Sequence, residues 1–249
     1  DGSYKNAMQG CATVLHTASP FTSDFKDAQT ELVDPALNGT RNVLETAKQV
    51  GTVSRVVVTS SCAAIYADAA DCADAPGGQL NEDVWNTTAS LEYQPYSYSK
   101  TVAERAAWQI ADTQSQWKLV VLNPSLVIGP PLQKAPTSES FNIVRQMGDG
   151  TMKLGVPRVG LGVVDVRDLA EAHLAAAFNP KAEGRNIISA HDTDLLELAL
   201  ALNARYGADY PIPNRALPKW LLWAIGPIAA GLDRQFVRRN VNVSWHADN

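Results

Sequence analysis

Tyr96 and Lys100 stand four residues apart in Pro95-Tyr-Ser-Tyr-Ser-Lys100, at the start of a helix that the alanine-rich stretch from Ser97 to Ala111 continues. On a helix this spacing puts both side chains on one face, one turn apart. An ammonium there favours a phenolate, so Lys100 is expected to draw the Tyr96 pKa down from its reference of about 10 toward working pH. Tyr96 then serves as a proton donor or acceptor at a carbonyl or alcohol oxygen. Alone the pair is weak evidence. Ser60-Ser61 strengthens it, because both serines follow Val56-Val57-Val58, a β-branched run that suits a strand buried on both faces. Parallel sheets present their ligands at the carboxyl ends of such strands. A serine hydroxyl at that place can donate to the oxygen that Tyr96 serves.

The elements that must hold these groups alternate along the chain. Apolar runs at 12–16, 53–59, 118–122 and 186–188 read as strands, the third halted at Asn123-Pro124. Pro35 to Val50 carries Leu37, Thr40, Val43, Leu44 and Ala47 at helical spacing, with Gly51 placed to cap it. Asp165 is positioned to cap a helix through Leu169, Ala172 and His173, and Thr193 to cap one over 195–206. Strands separated by helices of this length predict parallel βαβ units: an α/β fold with a doubly wound, Rossmann-like parallel sheet. After about Pro124 prolines become frequent, which predicts a smaller C-terminal lobe. The expected division is 1–124 for an incomplete dinucleotide-binding domain and 125–249 mainly for a substrate lobe, with about 160–190 returning to the sheet.

Composition narrows the classes. The 249 residues hold 21 Lys+Arg against 26 Asp+Glu, a formal charge of −5 without basic runs, which argues against nucleic acid as a partner. The most apolar stretch, Trp220 to Leu232, is too short to span a bilayer and reads as lobe packing. Cys11, Cys62 and Cys72 show neither a disulfide framework nor metal spacing, so no metal site and a cytoplasmic setting are expected. No strand–glycine turn–helix for a pyrophosphate occurs; Gly160-Leu-Gly162 has no helix beside it and reads as a turn.

Further pieces follow one another through nearly the whole chain. They are His16-Thr-Ala-Ser-Pro20, Asn38-Gly-Thr-Arg-Asn-Val-Leu44, Val57-Val-Thr-Ser-Ser61, Tyr96-Ser-Tyr-Ser-Lys-Thr-Val-Ala-Glu104, Asn123-Pro-Ser-Leu-Val-Ile-Gly-Pro130 and Val164-Asp-Val-Arg-Asp168. Together they resemble the extended short-chain dehydrogenase/reductase superfamily, in particular its dihydroflavonol, cinnamoyl-CoA and aldehyde (methylglyoxal) reductases. The resemblance implies Ser61, Tyr96 and Lys100 as catalytic residues, with Ser61 rather than Ser60 in the serine role. It implies Thr17, Ala18, Ser19, Lys100, Pro124, Val127 and Ser138 (or Ser140) as cofactor contacts. Tyr66 and the variable segment 132–141 would meet the substrate. It implies NADPH ahead of NADH and a small carbonyl substrate, while composition and hydropathy give no expectation of a membrane or nucleic-acid partner; the oligomeric state stays open. Family members carry their glycine-rich segment ahead of the part matched here, so an internal piece is expected. Two rivals remain: an NAD-dependent nucleotide-sugar epimerase, dehydratase or hydroxysteroid dehydrogenase, which would use the same triad, and a non-catalytic NADP-sensing protein, whose kind usually lacks the tyrosine or lysine that this chain keeps. Among bystanders, His16 is expected to position a loop, His173 and Asp168 to stabilise a helix, and Cys62 to be buried and structural.

Overall fold

The computed structural model describes residues 4–19, 25–134, 138–229 and 231–243. Pro20 and Phe21 of the first loop, 135–137 of the variable segment and the last six residues lie outside them. The chain is an α/β fold built on two sheets. In the larger, β1 (Thr13–His16), β2 (Arg55–Thr59), β3 (Lys118–Pro124) and β6 (Gly184–Ile188) lie side by side in that order, every pair parallel. The smaller sheet joins β4 (Leu126–Ile128) in parallel and β7 (His191–Asp194) in antiparallel to a central β5 (Gly160–Asp165). Of the stretch 160–190, β6 therefore lies in the large sheet while β5 lies in the small one.

Alternation along β2 and β3 divides the core. Val56, Val58, Leu119 and Val121 point to one face, where Val43, Leu44 and Ala47 of α2 (Asp34–Val50) meet Ala107 and Ile110 of α4 (Pro95–Ala111). A one-turn α1 (Lys5–Met8) adds Met8 to this face, and the short α3 (Asp71–Asp74) adds Cys72 to a separate cluster around Ile65 and Leu80. Val57, Val120 and Leu122 point the other way, onto Ala176 and Ala177 of α6 (Val166–Phe178). With helices on both faces, the strands bury both sides, and this is why they read as continuous apolar runs.

The remaining helices pack in pairs. Met147 of α5 (Glu139–Gly148) packs with Ala199 of α7 (Leu195–Tyr206), and Leu222 of α8 (Lys219–Ala229) with Val237 of α9 (Arg234–Asn240). No helix among the described residues is long and apolar enough to cross a membrane.

Several local expectations hold, and others shift. Gly51 closes α2 at φ 74°, and the Asp165 carboxylate accepts from the Arg167 N–H at 2.8 Å. α2 is preceded by a π-helical turn, Gln29–Val33. α7 is capped by Asp194, not Thr193: the Asp194 carboxylate accepts from the Glu197 N–H at 2.9 Å, while the Thr193 hydroxyl donates to the Glu197 side chain. β3 runs through Asn123-Pro124 instead of stopping before them. Pro124 is its last residue, and the Ser125 N–H carries the pairing on by donating to the Ile188 carbonyl at 3.1 Å.

Candidate active site

The carboxyl ends of β1, β2 and β3 open into a cleft of about 1030 Å³, closed on its far side by the small sheet and α5. Tyr96 and Lys100 enter it from the first two turns of α4. That helix starts on Pro95, whose fixed φ suits the first helical position, after Gln94 in the left-handed region at φ 56°. Ser61 enters from the end of β2, where its extended backbone caps a 3₁₀ turn and its Oγ accepts from the Ala63 N–H at 3.1 Å. Its hydroxyl also hydrogen-bonds that of Tyr96. The Lys100 nitrogen lies over the Tyr96 ring, 5.7 Å from its centroid.

The two adjacent serines are held differently. Ser60 is buried, and its hydroxyl donates to the Glu104 carboxylate at 2.5 Å. Ser61 is half-buried and hydrogen-bonded to Tyr96.

The electrostatics correct one expectation. Lys100 does not draw Tyr96 down; burial dominates and pushes the phenol up to about 12, opposed by the Ser61 hydrogen bond. Lys100 is almost fully buried, and loss of hydration pushes its amine down to about 8, partly countered by Glu104. At neutral pH the site therefore holds a neutral phenol beside an ammonium: a proton donor, with a cation ready for the phenolate it leaves.

Of the other sequence candidates, Thr17, Ser19, Pro124, Val127 and Tyr66 line the cleft. Burial holds the Tyr66 phenol well above its ordinary value, so it stays neutral. Ser138 and Ser140 both line it, their hydroxyls 3.1 Å apart. Ala18 is exposed and stands outside the cleft wall, the one candidate not brought to it. The fit to a nicotinamide half is good: the lining offers a buried amine and hydroxyls together with the apolar Pro124, Val127, Ile128 and Leu169. Gly129 belongs to the same wall. It lies at φ +133°, and a Cβ there would come within 2.9 Å of Val166.

The bystanders have plain roles. His16 meets the Thr40 hydroxyl at 3.3 Å, and burial keeps its imidazole below the ordinary value. His173 does more than stabilise its helix, because its Nε2 lies 2.6 Å from the Thr59 hydroxyl at the end of β2. The Cys62 thiol is buried, hydrogen-bonds the Asn123 carbonyl and is pushed up to about 12, which leaves it unreactive. Sequence reasoning gave no role to Glu104, Asn123 or Arg185, which lie directly beneath the catalytic candidates. Only Glu104 left a signal, as the third member of a 96, 100, 104 series on one helix face.

Residues 3–189 match the model of the NAD dependent epimerase/dehydratase family. Among curated proteins the chain is 35% identical over 223 residues to cinnamoyl-CoA reductase CAD2 of Medicago truncatula, covering 88% of this chain and 64% of that one. It is 37% identical over 228 residues to tetraketide alpha-pyrone reductase 2 of Arabidopsis thaliana, covering 88% and 67%. The chain thus spans about two thirds of the length of these relatives. Among solved structures it is similar to yeast methylglyoxal/isovaleraldehyde reductase Gre2 complexed with NADPH, with a TM-score of 0.72, 26% identity and 99% and 72% of the two chains covered. Gre2 from Candida albicans in complex with NADPH gives 0.73 and 26%, over 96% and 79%.

Proposed function

The chain belongs to the NAD dependent epimerase/dehydratase family, and on that premise we propose that it contributes the catalytic site of an NADPH-dependent reductase of an aldehyde or ketone. The observation that carries this reading is the meeting of Ser61, Tyr96 and Lys100 in an apolar cleft, with the phenol neutral and the amine charged at neutral pH.

Carbonyl reduction needs a hydride at carbon and a proton at oxygen. Ser61 donates a hydrogen bond to the carbonyl oxygen and fixes its place. Tyr96 gives that oxygen its proton, and the phenolate left behind is stabilised by the Ser61 hydroxyl and the Lys100 ammonium. Thr17, Ser19, Pro124, Val127 and Lys100 would hold the nicotinamide half of the cofactor, and Ser138 or Ser140 would add a contact. A reduced nicotinamide, when bound, supplies the hydride. Tyr66 and Phe141 would face the substrate, whose apolar surroundings favour an uncharged carbonyl compound. NADPH is preferred to NADH because both Gre2 structures that the fold resembles hold NADPH. A cytoplasmic location agrees with Cys11, Cys62 and Cys72 as thiols.

The test is the oxidation of NADPH and NADH by the full-length gene product against a panel of aldehydes and ketones. Turnover of NADPH with an uncharged carbonyl is the expected result. Binding of cofactor without turnover of any carbonyl would overturn the reductase reading and favour an epimerase, or a protein that senses the cofactor.

A further inference from the structure

The side chains beneath the cleft floor form one buried network around a single carboxylate. Glu104 lies two turns beyond Tyr96 on α4, and its side chain has no exposed surface. Its Oε2 accepts from the Ser60 hydroxyl at 2.5 Å and from the Asn123 amide at 2.7 Å; its Oε1 accepts from Arg185 Nε at 2.6 Å. The same Asn123 amide donates to the Ser61 carbonyl at 3.1 Å. The carboxylate thus ties the helix carrying Tyr96 and Lys100 to the end of β2, the end of β3 and, through Arg185, to β6.

Arg185 is itself fixed from every side. Its guanidinium donates to the carbonyls of Val84 at 2.5 Å and Glu82 at 2.7 Å, and lies 3.9 Å from the centre of the Trp85 ring. Arg105, one residue beyond Glu104, covers Trp85 as well, at 4.4 Å. A buried ion pair needs such further hydrogen bonds to offset lost hydration, and it is weak evidence for stability. Geometry is what it does secure. A misplacement of about 1 Å between reacting groups can cost about a hundredfold in rate, and Ser61 and Tyr96 stand on separate elements that Glu104 joins.

We propose that Glu104, held by Arg185, is a positioning residue that sets Ser61 against Tyr96 and Lys100 through Ser60 and Asn123. The inference rests on the reductase reading for its kinetic consequence only. The charges that bear on it are few. Lys100 faces Tyr96 and Glu104 on its own helix and His16 from β1; Glu104 faces Arg185 from β6, with Cys62 and Glu82 close by. Because the Glu104 charge supports the Lys100 ammonium, removing it should also move the Lys100 titration, an effect that mere loss of packing would not produce.

The experiment compares wild type, Glu104→Gln and Ser60→Ala in the full-length gene product. Ser60→Ala deletes one donor without leaving a buried charge unpaired, so it reports on positioning even if Glu104→Gln fails to fold. Glu104→Gln is expected to lower kcat by about tenfold or more, and Ser60→Ala by several-fold, with carbonyl KM within about threefold of wild type. Lysine labelled with ¹³C at Cε, followed by NMR, should titrate at lower pH at Lys100 in Glu104→Gln. That measurement needs no turnover, so a wild type inactive on carbonyls would overturn the reductase reading while the titration still shows whether the Glu104 charge acts on Lys100. Wild-type kcat in Ser60→Ala, or an unmoved Lys100 titration in a folded Glu104→Gln, would overturn the inference.

Discussion

The Lys100 nitrogen lies 5.7 Å from the centroid of the Tyr96 ring, and burial moves the two groups in opposite directions, Tyr96 up to about 12 and Lys100 down to about 8. Each shift disfavours the charged form. Together they set a neutral phenol beside a cation that is retained at neutral pH.

Lys100 should therefore cost stability. Its folded pKa of about 8 lies below its ordinary 10.5. Between those values the unfolded chain binds more protons, so this group's contribution to stability rises with pH across that window. Below pH 8 the buried charge is an expense of up to about 3 kcal/mol. Lys100→Met should stabilise the protein at pH 7, with the gap from wild type closing by pH 10.5. Urea unfolding of both proteins at the two pH values checks this; a less stable variant at pH 7 would contradict it.

The same titration should appear in turnover. With Lys100 required as the ammonium, kcat should hold from pH 6 to about 8 and decline above it. A kcat flat to pH 10 would remove the ammonium from the mechanism.

Ser61→Ala should lower kcat by about a hundredfold, as for the loss of one donor aimed at a developing oxyanion. The fold should lose only about 1 kcal/mol with the Ala63 cap, since the strand end is anchored through Ser60 and Glu104. Steady-state kinetics and thermal melts separate the two effects. A collapse of stability without a specific loss of kcat would assign Ser61 to structure.

Arg239 should matter for stability without touching the site. From α9 it pairs with the fully buried Asp68 at 2.6 Å and with Asp71, while Tyr93 donates to Asp68 at 2.7 Å. Arg239→Met leaves the Asp68 charge without its cation and should cost about 3 kcal/mol. A urea midpoint equal to that of wild type would contradict this.

The large sheet and the catalytic candidates were legible because local pattern carries them. Val56-Val57-Val58 announces a doubly buried strand, Gly51 a helix end, and the 96, 100 spacing a shared helix face. The small sheet was not legible. β4 has three residues, too few to show a period, and β7, His191-Asp-Thr-Asp194, is polar throughout and offers no apolar run. Nor was the Glu104–Arg185 pair, whose members are separated by 81 residues and meet only once β6 has joined β3. The sign of the Tyr96 shift failed for a related reason: spacing tells that Lys100 is near, but not how much water both groups lose.

The most direct measurement is NADPH-dependent carbonyl reduction by wild type and Tyr96→Phe side by side, with NADPH affinity measured on both. Turnover in wild type, a loss of about a thousandfold or more in the variant and a nearly unchanged cofactor affinity are expected. A variant that turns over at the wild-type rate would show that the proton comes from elsewhere and would contradict the account.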